Sequence, residues 1–276
     1  MKHAVVAMDT FFHGASPSYP LRTRLEMMKA AGFDAGYFTN WPTPSADVER
    51  QQLASTAQAV GLDIAAVYAA IDLAEGHDAC LRRVEAIARD LPEGADFELA
   101  LKHGVPGSDQ SSPDDPKHDE KAVRLVLALA ERTNATICLY PHVRVWMQRH
   151  ATALRVVEAC ENPRVKVMFC GYHWYAADDR DGLDTLVAKL APHLNAINLC
   201  GVAVRGEAVS ILPLGDGQMD NGMVLGRLRS QGFEGRIAIQ GYSLRGDVFA
   251  RLQQARVASE QLVQQVEAHA AWYTAA

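Results

Sequence analysis

The sequence predicts one α/β domain over residues 1–276, folded as a (β/α)8 barrel of the TIM type. Eight short apolar runs of strand character recur along the chain, and amphipathic helical stretches separate them. Each strand–helix unit takes roughly 30 to 40 residues, the size of a βα repeat, and eight such units close a barrel in about 250. A doubly wound open sheet is the rival. It uses fewer units and a glycine-rich first turn, which Gly14 alone does not supply.

The strand candidates, in order, are HAVVAM (3–8), DAGYFTN (34–40), LDIAAVYAAI (62–71) and DFELALK (96–102). ATICLYPH (135–142), VKVMFCGYH (165–173), LNAINLCGV (194–202) and GRIAIQGY (235–242) follow. They alternate little, as strands buried on both faces of a parallel sheet should. Between them, LRTRLEMMKAAG and the stretch ending AQAVG close on Gly32 and Gly61, the residue type that ends helices in the left-handed conformation. In DEKAVRLVLALAERT the apolar residues recur at three and four positions, leaving Glu120, Lys121, Arg124, Glu131 and Arg132 for solvent. ATALRVVEAC, DTLVAKLA and MVLGRLRSQG carry similar stripes, and a long terminal helix is expected near 246–270. The polar, Pro-rich stretch near 104–119 follows the fourth strand. It reads as a loop at the barrel mouth, either a plain surface insertion or a lid.

Composition excludes several function classes. With 49% hydrophobic and 22% charged residues the chain has ordinary globular usage. Its formal net charge of -6 and the lack of a polybasic strip remove the main energetic term for binding a nucleic-acid backbone. No stretch approaches the roughly 20 apolar residues of a membrane span. The apolar run after Lys2 is too short for a secretory signal. The five cysteines, Cys80, Cys138, Cys160, Cys170 and Cys200, contain no CxxC pair, which suits a reducing compartment. A cytoplasmic protein is expected, and a homo-oligomer is compatible with this reading.

Sites in such barrels are built at the carboxyl ends of the strands. Those ends offer Asp9 and His13, Asn40 and Trp41, Tyr68 and Asp72, and Lys102 and His103. Later strands add Tyr140 and His142, His173 and Trp174, Asn198, and then Gln240, Tyr242 and Arg245. Four histidines converging from different strands argue for a polar pocket.

ICLYPHV at the fifth strand and MFCGYHW at the sixth, then LPLGDGQMD and LRSQGFEGRIAIQGY, carry a resemblance. In that order they resemble the xylose-isomerase-like barrel superfamily of sugar isomerases, sugar-phosphate isomerases and epimerases. The likeness covers most of 120–247 at motif level and the first half by rhythm. In metal-dependent members the fifth strand ends in Glu with His two positions later, and the sixth carries Asp with His three residues on. The seventh offers a His and the eighth a Glu. At the matching positions this chain has Tyr140, Cys170, Asn198 and Gln240, while His142 and His173 keep the companion places.

The resemblance therefore implies a pocket that keeps the family's shape and hydrogen bonding without its hard cation, since no carboxylate remains to hold one. A site rebuilt around His142 and His173, with Cys170 and His103, would instead favour zinc. In LPLGDGQMD, Asp220 is placed to cap a helix beginning near Gly222, and the alternative is an anion site at that helix end. Lys102 and Arg245 are the expected partners of a carboxylate or phosphate. Trp174 is the expected ring for an apolar sugar face.

Two functions stay open. The first is an isomerase, epimerase or related lyase moving a proton next to a carbonyl of a small sugar or keto-sugar. His142 and His173 would be acid and base, and Tyr140, Asn198 and Gln240 the oxyanion donors. The second is a non-catalytic carbohydrate- or metabolite-binding barrel. Metal-dependent cleavage of abasic DNA, which occurs on the same fold, is disfavoured by the acidic chain and the missing ligands.

Overall fold

The structure, a computed structural model, describes residues 3–104, 113–206 and 208–274. Among the described residues ten strands run in chain order: β1 (Val5–Met8), β2 (Ala35–Asn40), β3 (Asp63–Asp72), β4 (Asp96–Lys102), β5 (Ile137–Leu139), β6 (Val165–Cys170), β7 (Leu194–Leu199), β8 (Gly201–Arg205), β9 (Ala208–Leu212) and β10 (Arg236–Ile239). Eight of them close a parallel barrel in the order β1-β10-β7-β6-β5-β4-β3-β2, as expected for a (β/α)8 fold. The helices are α1 (Leu21–Ala30), α2 (Pro44–Val60), α3 (His77–Arg89), α4 (Asp119–Arg132), α5 (His150–Cys160), α6 (Gly171–Ala177), α7 (Leu183–Leu190), α8 (Asn221–Ser230) and α9 (Val248–Ala268).

The pleat sorts each apolar run into two sets. Odd-register residues such as Val67, Leu99, Leu139, Phe169 and Ile237 join the large core between strands and helices. The alternate residues, among them Met8, Tyr37, Tyr68, Cys138, Tyr140, Met168 and Cys170, fill the barrel lumen as a separate cluster. The lumen is thus lined with small, polar-tipped and sulfur side chains, whereas the outer layer is built of aliphatic and aromatic residues.

At the amino-terminal end of the lumen sits a charged floor. Arg236 Nη2 donates to Glu98 Oε1 at 2.7 Å, and Arg236 Nη1 pairs with Asp96. Tyr37 Oη donates to Glu98 Oε2 at 2.5 Å, and Asn195 Nδ2 to Asp96 Oδ2 at 2.7 Å. These bonds tie β2, β4, β7 and β10 together across the barrel.

The helix ends follow their capping residues. Asp220 Oδ1 accepts from Met223 N–H at 2.8 Å, so α8 begins one residue later, as the sequence suggests. Asp247 Oδ1 accepts from Ala250 N–H at 2.7 Å and starts the long terminal helix.

The run 194–202, expected as one strand, breaks at Cys200 and continues as an antiparallel hairpin of β8 and β9. The hairpin interrupts the barrel rhythm because Gly201 runs against the carbonyl oxygens of Pro213 and Asp216, where a Cβ has no room. The expected mouth loop has its centre, 105–112, outside the described residues. Its described end is anchored: Asp114 Oδ1 accepts from Thr152 Oγ1 at 2.5 Å and from Arg149 N–H at 3.1 Å.

Candidate active site

A cavity of about 560 Å³ opens at the carboxyl end of the barrel. Its floor and walls come from strand ends: Met8 closing β1 and Thr10 after it, Thr39 near the end of β2 and Trp41 after it, Tyr68 and Ala70 on β3, and Gln240 after β10. The β5 turn adds Tyr140, His142 and Arg144, α6 adds Tyr172 and His173, and the hairpin contributes Val209, Ser210 and Ile211. Tyr172 Oη donates to the Val209 carbonyl at 2.9 Å, which holds the hairpin over the cavity.

His142 and His173 lie against each other, with ring centroids 4.0 Å apart. One residue between them, Val143, orders both rings. Its carbonyl is 2.6 Å from His142 Nδ1, so that nitrogen is the donor and carries the proton. Its N–H donates to His173 Nδ1 at 3.3 Å, so that nitrogen is the acceptor and the His173 proton sits on Nε2. The pair is therefore assigned opposite tautomers: His142 offers a bare Nε2, and His173 an Nε2–H. Burial lowers the His142 pKa below its ordinary value, against the Val143 carbonyl, which raises it. Burial lowers His173 much further, and its His142 and His150 neighbours add to this. Both rings are neutral at pH 7.

Beneath them, Asn198 Nδ2 donates to Tyr140 Oη at 2.7 Å. Burial pushes the Tyr140 phenol and the Cys170 thiol well above their ordinary values, so each stays protonated. Asn198 Oδ1, Gln240 Oε1 and His173 Nε2 are buried without a hydrogen-bond partner among the described residues. Gln240 and His173 also line the cavity, so a ligand could satisfy their unpaired atoms. Among the described residues, no three His, Cys, Asp or Glu side chains come together as a metal site.

His150 completes the frame from outside the cavity. Its Nδ1 is 2.8 Å from Asp178 Oδ2, and its Nε2 accepts from Cys170 N–H at 3.1 Å, anchoring the end of β6 just before His173.

Of the expected site residues, His142, His173, Tyr140 and Gln240 line the cavity, and Asn198 supports it from below. Four others lie outside its lining. Trp174 is buried against Phe169, because consecutive residues on α6 diverge by about 100° and His173 takes the cavity side. Lys102 Nζ is drawn to Asp72 Oδ2 at 3.8 Å on the neighbouring strand. His103 stacks on His118 with centroids 3.6 Å apart, outside the cavity and away from the His142–His173 pair. Arg245 is exposed, in a loop bound through its carbonyl to Arg251 Nε at 3.1 Å. Sequence reasoning missed Thr10, Thr39, Arg144, Tyr172 and Ser210. Tyr172 carried a signal as the immediate neighbour of His173, and Arg144 as the second residue after His142.

The buried histidines have a consequence for stability. His13, His142 and His173 have lowered pKa values in the folded state, burial being the main cause. Below about pH 6.5 the unfolded chain binds protons that the native state refuses, so stability falls with falling pH in that window. Asp9 and Glu98, raised by burial, act in the opposite sense above the ordinary carboxylate range. Replacing both site histidines by Gln isolates their share. The loss of stability between pH 7.5 and 5.5 should shrink by about 1–2 kcal/mol, read from urea midpoints. An unchanged loss would mean that the two rings protonate freely in the fold.

The family description "Xylose isomerase-like TIM barrel" matches residues 25–262. No curated protein matches at the sequence level. Among solved structures, L-ribulose 3-epimerase superposes with a TM-score of 0.75 at 15% identity, covering 99% of each chain. The 3-keto-D-glucoside 4-epimerase of E. coli gives 0.69 at 15% identity, over 95% of this chain and 100% of that one. A xylose isomerase-like TIM barrel/4-hydroxyphenylpyruvate dioxygenase fusion protein gives 0.72 at 13% identity; 98% of this chain is covered, but only 44% of the fusion. The barrel, the order of its motifs and the matched span together place this chain in the xylose isomerase-like TIM barrel family.

Proposed function

We propose that this protein is an isomerase or epimerase that moves a proton next to the carbonyl of a small sugar or hydroxy-carbonyl compound, without a divalent metal. The observation that carries the proposal is the His142–His173 pair in opposite tautomers at the floor of a sugar-sized cavity. His142 Nε2 takes the proton from the carbon beside the carbonyl, and the electron pair of that C–H bond moves to the carbonyl oxygen. The Nδ1–H bond to the Val143 carbonyl steadies the imidazolium that forms. His173 Nε2–H and the Gln240 amide donate to the developing oxyanion, with the Tyr140 hydroxyl nearby. Return of the proton by His142 to the neighbouring carbon, while that carbon's hydroxyl proton passes to the first carbonyl oxygen, completes isomerisation; epimerisation requires the enediolate to turn and present its other face to His142 before the proton returns.

A hard cation does not suit this donor set. Tyr140 and Cys170 stay protonated, and Asn198 and Gln240 are neutral amides. Neutral donors stabilise an oxyanion less than a metal does, which favours a substrate with a more acidic C–H, such as a keto-sugar. A keto-glycoside epimerase among the structural neighbours is in keeping with that chemistry. The five cysteines are all buried and unpaired, which supports a reducing, cytoplasmic setting.

The test is incubation of protein dialysed against EDTA with a panel of ketoses and keto-glycosides in deuterated water, followed by mass spectrometry. Deuterium is expected at one carbon beside the carbonyl. Exchange that disappears with EDTA and returns with a divalent ion would overturn the metal-free step. Ligand binding without any exchange would make the protein a binding barrel.

A further inference from the structure

We infer that the cavity takes an anionic compound, a sugar or hydroxy-carbonyl carrying a carboxylate or phosphate that Arg144 receives at the rim. This rests on the reading of the cavity as a sugar-sized site and adds the substrate's charge class. The chain as a whole is acidic, with 33 Asp and Glu against 27 Lys and Arg. Yet no carboxylate lines the cavity among the described residues, and its one guanidinium is that of Arg144. A neutral polyol is gripped best by ionised acceptors for its hydroxyls, and none is present. An anionic group, by contrast, meets a guanidinium with five donors and no competing acid.

The backbone supports the assignment. His142–Val145 forms a tight turn closed by Val145 N–H to the His142 carbonyl at 3.4 Å. Arg144 occupies its third position with φ +66°, a conformation that favours glycine. Ser243, on the opposite rim, also lines the cavity and has φ +61°. Strained non-glycine residues cluster at ligand-binding positions, where the side chain justifies the cost. Among the described residues Arg144 makes no ion pair, whereas Lys102, first expected in this role, is drawn to Asp72. The Arg144 charge also helps hold the His142 pKa down, so an anion bound there would leave the base more readily protonated.

The test is a thermal-shift and calorimetric titration with matched neutral hexoses, hexuronates and hexose phosphates, on wild type, Arg144→Gln, Arg144→Lys and Arg144→Gly. One or both anionic classes should bind more tightly than the hexoses, and the tighter class identifies the carboxylate or phosphate. Arg144→Gln should weaken that binding roughly tenfold to a hundredfold, as the loss of a charge-assisted bond does, while Arg144→Lys keeps part of it. Arg144→Gly should weaken it equally without lowering the thermal midpoint of the free protein, which a merely structural arginine would not do. Equal affinity for neutral and anionic sugars, anion binding indifferent to Arg144→Gln, or no anion binding at all would each overturn the inference. Equal deuterium exchange into a ketose phosphate or keto-uronate by wild type and Arg144→Gln would sink this inference and spare the proton-transfer reading. Selective anion binding without exchange would do the reverse.

Discussion

His142→Gln should lower the rate of proton exchange by about a hundredfold to ten-thousandfold, the range set by losing a positioned general base. Substrate binding should change little, because the glutamine amide keeps a polar contact in the same wall. His173→Gln should cost less, since an amide N–H can replace the imidazole Nε2–H as an oxyanion donor. The pH profile separates this from a structural effect. His142 has its pKa below the ordinary histidine value, so wild-type kcat/KM should hold through pH 6.5 and fall only on more acidic approach, as Nε2 takes up a proton. The residual activity of His142→Gln should lack that acid limb. If His142→Gln keeps wild-type turnover, the base lies elsewhere and the tautomer argument fails.

Arg236→Met should destabilise the fold by about 3–5 kcal/mol, more than any cavity-lining substitution, because it leaves Glu98 as an uncompensated buried acid. Glu98 has no solvent exposure, and its carboxyl is already pushed up by burial, against the pull of Arg236 and the Tyr37 hydroxyl. The second variant makes the reason testable. Arg236→Met with Glu98→Gln should recover at least about 1 kcal/mol relative to Arg236→Met alone, since a buried amide carries no charge penalty. Urea midpoints at pH 7 measure both. Strictly additive losses would show that the floor is held by packing and not by its charge pairing.

The eight strands were legible because a parallel sheet covered on both faces demands apolar runs in the chain itself, and Val, Ile, Leu and Phe supply them. The caps Asp220 and Asp247 act over three residues, and the terminal helix could be read from its own apolar pattern. The hairpin over the mouth was not legible. Its start depends on Gly201 meeting the backbone of Pro213 and Asp216, a contact that no local pattern encodes. Tyr140, His142, His173 and Gln240 were found by their places at strand ends. Trp174 and His173 look equivalent in the sequence, yet the roughly 100° step between consecutive residues of α6 sends them to different neighbours.

By itself the sequence determined the barrel and its strand ends, carried by residue type and short-range periodicity, and it put Tyr140, Cys170, Asn198 and Gln240 where the resemblance implies metal ligands. Only the tertiary structure decided which nitrogen of each histidine carries the proton, that Arg144 and not Lys102 or Arg245 faces the cavity, and that Glu98 and Arg236 meet across 138 positions of chain. Those are properties of distance and burial between segments remote in sequence, and side-chain partners exist only once the barrel has closed.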